Sequence, residues 1–342
     1  MAEKKVKIRY KNLFTLILGV TIVIAVSIVV ANSFTSNSNE KDELDALQTT
    51  PPVTTESDTG DTLEFTDDPK LQSSYLFDCV KLTKADVHNG NLVLVNNNIK
   101  FQGEVSENEL KVILGNKNTS YMVKDNEVVI KPILLNALNE MFEDFEAETE
   151  NNYVMVRAGY RTIEYQQNLY QKELEKTGLE ESTLVAKPGH SEHHTALAVD
   201  FTTYKNQEFE DFDGNGEYSW ITENCHKYGI VNRYPESKTK LTMIDHEPWH
   251  FRYVGEPHAE IMYEYDYCLE EYVSYLKNYT IDKGFMLFDS ENGHRYIIYY
   301  VPLLSTETTA VYFPLNPETE SPYPYEISGN NVDGFIVTVT LS

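Results

Sequence analysis

Nineteen consecutive residues from Leu13 to Ala31, LFTLILGVTIVIAVSIVVA, carry no charge. About 20 such residues cross the hydrocarbon core of a bilayer as a helix, so this run predicts a membrane-spanning segment and commits everything after it to one compartment. Residues 1–12 hold Lys4, Lys5, Lys7, Arg9 and Lys11 against Glu3, whereas acids dominate beyond the run. The positive-inside rule therefore places 1–12 in the cytoplasm and 32–342 outside. Signal-peptide cores are usually about 7–15 residues long, which favours an uncleaved anchor; cleavage after Ala31 is the alternative. The formal charge of −26, which is +4 over the first 12 residues and −30 over the rest, argues against nucleic acid as a partner.

Residues 32–70 are polar, acidic, rich in Ser and Thr and nearly free of aromatics, the composition of a disordered linker. Over 71–131 the runs LVLV (92–95) and YMVKDNEVVIKP (121–132), the latter hairpin-like, predict a small β-containing lead-in. From 132 to 277 helical and strand patterns mix. LLNALNEMFEDF and IEYQQNLYQKELEKTG read as helices, NYVMVRAG, TALAVDF and WHFRYV as strands; a helix at 219–229 and a long final one at about 257–276 complete an α+β order. After Asn278, GFMLF, RYIIYYVP, TAVYF and GFIVTVTL predict a four-stranded β-rich appendage over 278–342. Cys79, Cys225 and Cys268 are too few and too scattered for a disulfide framework or a CxxC metal site; Cys225 reads as a small buried hydrophobe.

The chemistry-bearing residues fall in two clusters. In SEHHTALAVDF, His193 and Asp200 lie seven apart, and Asp200 ends an apolar run where an unpartnered carboxylate is costly to bury. In HEPWHFR, Glu247 precedes His250 by three residues. Two histidines, an aspartate and a free glutamate make the composition of a catalytic zinc centre: three ligands, an open position for water, and a base to take its proton. Spacing alone does not separate this set from satisfied structural histidines and acids.

The wording is more specific. Ser191-x-His193, Ala198-Val-Asp-Phe201, Arg233-Tyr-Pro235 and Glu247-Pro-Trp-His-Phe-Arg-Tyr-Val-Gly255 closely resemble the VanY-type D-alanyl-D-alanine carboxypeptidases of the lysostaphin, D-Ala-D-Ala metallopeptidase and Sonic hedgehog superfamily. The resemblance covers about 133–276 and implies a zinc peptidase domain over 132–277. It further implies His193, Asp200 and His250 as Zn2+ ligands and Glu247 as catalytic base. Gly159-Tyr160-Arg161 matches the element whose arginine grips the substrate's terminal carboxylate, a role that suits a planar, permanently charged fork. Ser191 and Gln166 are implied to hydrogen-bond the peptide end. Ala196 stands where the family usually has Gly, and His194 where Gln is commoner. The implied activity is removal of the terminal D-alanine from a peptidoglycan stem peptide. The same residues serve an L,D-carboxypeptidase or an endopeptidase equally well. A non-catalytic wall-binding protein is disfavoured because all three ligands and the base are present.

Four further strings read as bland. Asp211-Phe-Asp213-Gly-Asn215-Gly216 begins like a calcium loop but lacks the acid at position 12, which is Thr222, and so predicts an Asx-rich turn. Lys176-Thr-Gly178, Ser237-Lys-Thr-Lys240 and Ser328-Gly-Asn330 imitate serine D,D-peptidase motifs in the wrong order.

Overall fold

A computed structural model describes residues 76–341; the span predicted at 13–31, the linker at 32–70 and residues 71–75 lie outside the described residues. Among the described residues no helix is long and apolar enough to cross a membrane. Strands β1 (Leu76–Thr83), β2 (Lys111–Val112), β3 (Met122–Val123) and β4 (Val129–Ile130) precede helix α1 (Pro132–Thr149). There follow β5 (Val154–Ala158), α2 (Ile163–Thr177), β6 (Ala198–Lys205), β7 (Glu208–Asp211), α3 (Ser219–Asn224) and β8 (Ile230–Tyr234). Then come α4 (Thr239–Thr242), β9 (Glu247–Tyr253), α5 (Glu256–Glu264) and α6 (Leu269–Leu276). The chain ends with β10 (Met286–Asp289), β11 (Arg295–Pro302), β12 (Thr308–Leu315), β13 (Tyr325–Gly329) and β14 (Gly334–Thr340).

A six-stranded sheet in the order β3-β5-β6-β9-β8, with β7 also paired to β6, carries the site. Its strands run antiparallel except β3, which is parallel to β5. Side chains alternate across a strand. Val154, Val156, Val199, Phe201 and Phe251 accordingly share one core with the buried stripe of α1, which includes Leu134, Leu138, Met141, Phe142 and Phe145. Their neighbours Asp200, His250 and Arg252 are left for the opposite face. Pro132 starts α1 at a position whose N–H would be unpaired anyway.

The C-terminal strands form a second antiparallel sheet, β10-β11-β14-β13. It does not build a core of its own. Leu269, Tyr272, Val273 and Leu276 of α6 and Ile261 and Met262 of α5 belong to the same apolar cluster as Ile297, Tyr299, Phe335 and Val337.

Four expected elements differ from the structure. TAVYF (β12) leaves the four-stranded sheet and pairs with β1 over eight register positions from Leu76↔Leu315 to Thr83↔Thr308, and β13 takes its place. YMVKDNEVVIKP is not a hairpin: β3 joins β5 in the main sheet while β4 pairs with β2. LVLV is buried but forms no ladder, because its backbone groups find other partners. Arg252 Nη2 donates to Asn91 O and Val93 O, Asn331 Nδ2 to Leu94 O, and Leu92 N–H to Ser328 Oγ. The long final helix is two helices. Asp266 turns left-handed at φ 50°, and Cys268 restarts the chain with its N–H on Glu271 Oε2 at 3.0 Å.

Candidate metal centre and active site

Asp200 on β6 and His250 on β9 face each other as a register pair across antiparallel strands. His193 comes from the 3-10 turn Glu192–Thr195, which enters β6 through Ala196 at φ 58°. That left-handed conformation costs an L-residue about 1–2 kcal/mol, which explains why Gly is usual there. His193 Nδ1 lies 2.7 Å from Gly159 O and so carries the donated proton, leaving Nε2 free, 3.2 Å from Asp200 Oδ1. His250 presents Nδ1 to the same Oδ1 at 3.0 Å and Nε2 to Glu192 Oε2 at 3.4 Å. One ligand atom from each of the three lies within 4.8 Å of the others, the single such group among the described residues, and all three side chains are buried. Two imidazole nitrogens and one carboxylate oxygen converging on a point fit a zinc ion.

The surroundings set the charges. Burial holds His193 down at about 4, so the ring is neutral as a ligand must be. Burial also opposes charge on His250, yet hydrogen bonds to Asp200 and Glu192 raise it to about 9; a divalent cation at the site would stand in for that proton. Burial disfavours the Asp200 carboxylate, but His193 and Arg161 outweigh it and hold the group well below the usual range. Glu247, with Oε2 at 3.7 Å from His250 Nδ1, is pushed up to about 7 chiefly by burial.

The three donors lie in a cleft of about 350 Å³ that also receives Arg161, Gln166, Ser191 and Glu247. Arg161 donates from Nη2 to Asp200 Oδ2 at 2.5 Å; its Nε and Nη1 have no partner among the described residues. Gln166 is buried, with Nε2 on Ala186 O at 2.8 Å and Oε1 an acceptor without a partner among the described residues. The structure thus brings together all seven residues singled out from the sequence. Gly159 fits only as glycine, because a Cβ there would lie 2.5 Å from Val129 O.

Three residues beneath the site carry weight that sequence reading did not assign. Glu192 is 1% exposed and receives Arg233 Nε and Arg252 Nη1 on Oε1, each at 2.8 Å. Burial would raise its pKa, but the two guanidinium groups hold it far below the carboxylate range. Arg233 is further gripped by Glu270 at 2.7 and 2.9 Å, which fixes it as a structural group. His194 accepts from Gly189 N–H at Nε2 and donates from Nδ1 to Arg161 O, so it positions the arginine's backbone. No motif marks Glu192; its signal is an acid placed directly before a ligand histidine. His246 binds Tyr234 O and lies outside the cleft. Asp213 accepts from Asn215 N–H in an Asx turn, and Lys176-Thr-Gly178 simply closes α2 with Gly178 at φ 70°. Cys79, Cys225 and Cys268 are free thiols, Cys225 buried as expected.

An α+β sheet that presents two imidazoles and a carboxylate at the floor of a cleft, with a glutamate beside them, defines a zinc metallopeptidase. Residues 127–256 match the VanY family model, D-alanyl-D-alanine carboxypeptidase. A D-alanyl-D-alanine carboxypeptidase of Enterococcus faecium is 35% identical over 260 residues, spanning 75% of this chain and 78% of that protein. The crystal structure of the vancomycin resistance D,D-dipeptidase VanXYg, in complex with a D-Ala-D-Ala phosphinate analog, is 33% identical with a TM-score of 0.68. It covers 78% of this chain and 99% of its own. A D,D-pentapeptidase VanY from a VanB-type resistance cassette, solved as an E175A mutant in complex with Zn(II), is 31% identical with a TM-score of 0.42 over 54% of this chain and 98% of its own. The chain belongs to the VanY family of D-alanyl-D-alanine carboxypeptidases.

Proposed function

We propose that this protein is a membrane-anchored, extracytoplasmic zinc carboxypeptidase that removes the terminal D-alanine from peptidoglycan stem peptides. The convergence of His193, Asp200 and His250 on one point beside Glu247 carries this reading. Those three residues would hold zinc, which supplies an acidified water and polarises the scissile carbonyl. Glu247 takes the water's proton on Oε2 and passes it to the leaving amine. Arg161 holds the free carboxylate with a donor that Asp200 leaves unused while Nη2 stays on Asp200, which favours cleavage at a chain end over an internal bond. Gln166 Oε1 accepts a substrate N–H, and Ser191 lines the same wall. The uncharged run at 13–31 and the acids after it support anchoring with the catalytic domain outside. The test is D-alanine release by the zinc-loaded protein from a pentapeptide ending in D-Ala-D-Ala and from the tetrapeptide, with Glu247→Ala as control. Release from the pentapeptide that vanishes in the control is expected; release from the tetrapeptide alone would replace the reading with L,D-cleavage, and silence on both with zinc bound would point to an endopeptidase or a non-catalytic wall-binding protein.

A further inference from the structure

The cleft carries basic side chains that the reaction does not use. Gln166, Leu169, Lys172, Glu173 and Lys176 line it from α2, recurring at the spacing of one helix face. From the sheet side β5 adds Arg157, at the irregularity that breaks its pairing with β6 between Val156 and Ala158. A bulge of this kind re-aims a side chain, here into the cleft. Three of the four acids of the cleft wall are already matched, Glu192 by Arg233 and Arg252, Asp200 by Arg161 and Glu173 by Lys176 at 3.8 Å; the fourth, Glu247, feels the charge of Arg157 without an ion pair to it. Arg157 and Lys172 have neither a hydrogen bond nor an ion pair among the described residues, in a chain with 54 acids against 28 bases.

Lys172 lies six positions beyond Gln166, about 9 Å along the helix at its usual rise, or about three residues of extended peptide. We propose that Arg157 and Lys172 form a subsite for a second carboxylate, carried on the substrate roughly three residues before the scissile bond. The cleft then selects an acidic peptide over its amide. This rests on the reading above, in which Arg161 and Gln166 hold the terminal end.

The experiment uses the full-length, zinc-loaded chain and two peptides ending in D-Ala-D-Ala, identical except for glutamate or glutamine at the third position before the scissile bond. Wild-type kcat/KM is expected to favour the glutamate peptide by about five- to tenfold, the yield of two partly exposed ion pairs. The ratio of the two rates should fall to about one in Arg157→Gln/Lys172→Gln, whatever the variant does to both rates together through Glu247, and should shrink at about 0.5 M salt. Equal rates in wild type, or a preference that survives in the double variant, would overturn the subsite. If neither peptide releases D-alanine, the carboxypeptidase reading itself fails. Calorimetric affinities then decide the subsite: tighter binding of the glutamate peptide, lost in the double variant, upholds it, and equal affinity sinks it.

Discussion

Glu192→Gln keeps the side chain's shape and removes its charge, and the structure says where the damage falls. Arg233 retains both hydrogen bonds to Glu270. Arg252, fully buried, keeps the carbonyls of Asn91, Val93 and Tyr253 but loses its one carboxylate. Removing one partner of a buried pair costs about 3–5 kcal/mol, and with Arg233 still matched we expect the lower end, about 3 kcal/mol. With a urea slope of about 3 kcal/mol/M for a domain this size, the midpoint should fall by about 1 M. Adding Arg252→Met removes the stranded charge and should recover about 2 kcal/mol. The same substitution weakens the acceptor that orients His250, so zinc affinity, measured by chelator competition, should drop about tenfold. A Glu192→Gln midpoint equal to wild type, or a double variant no more stable than the single, would refute the account.

Three other outcomes are expected. His258 sits between Tyr272 Oη at 2.7 Å and Thr338 Oγ1 at 2.9 Å, and burial lowers its pKa to about 3. The unfolded chain binds that proton more readily, so stability is intact above about pH 6.5 and declines as pH falls toward 3, with about 2 kcal/mol gone by pH 5. His258→Gln should show a flatter pH dependence of unfolding, and parallel curves would exclude the assignment. Ending the chain at residue 277 strips the apolar faces of α5 and α6 of their partners; the product should be insoluble or lack a cooperative thermal transition, and a soluble, cooperatively melting fragment would contradict the shared core. Gly159→Ala drives a methyl to 2.5 Å from Val129 O and displaces the carbonyl that holds His193, so it should cost about 1–3 kcal/mol and weaken zinc binding. An unchanged melting temperature would count against that packing.

The residues closest to the chemistry were legible because they sit in short clusters whose wording resembles the VanY-type carboxypeptidases, although the clusters themselves meet across 50 residues. Ser191, His193 and Asp200 fall within the eleven residues SEHHTALAVDF and Glu247 and His250 within the seven of HEPWHFR, the first closing an apolar run on Asp200 and the second alternating apolar with polar residues around His250. What escaped depends on contacts over long separations. Glu192 meets Arg233 and Arg252 across 41 and 60 residues, and no local pattern encodes that meeting. The segment 92–95 looks like a strand because it is apolar and β-branched, yet Asn331, Ser328 and Arg252 take its backbone bonds. The hairpin expected at 121–132 failed for a related reason: parallel pairing with β5 and antiparallel pairing with β2 each offered one half a better partner than the other half did.

The placement of Asp200 opposite His250 has a consequence for how the metal comes and goes. Their spacing is set by the backbone ladder of β6 and β9, and the His193 ring is anchored on Gly159 O, so the donors converge through bonds that involve no metal. The ordering entropy of the donors is thus met by the sheet itself. Chelation should therefore silence the protein while leaving it standing, and adding zinc back should restore it on the timescale of ion capture, with no refolding step in between.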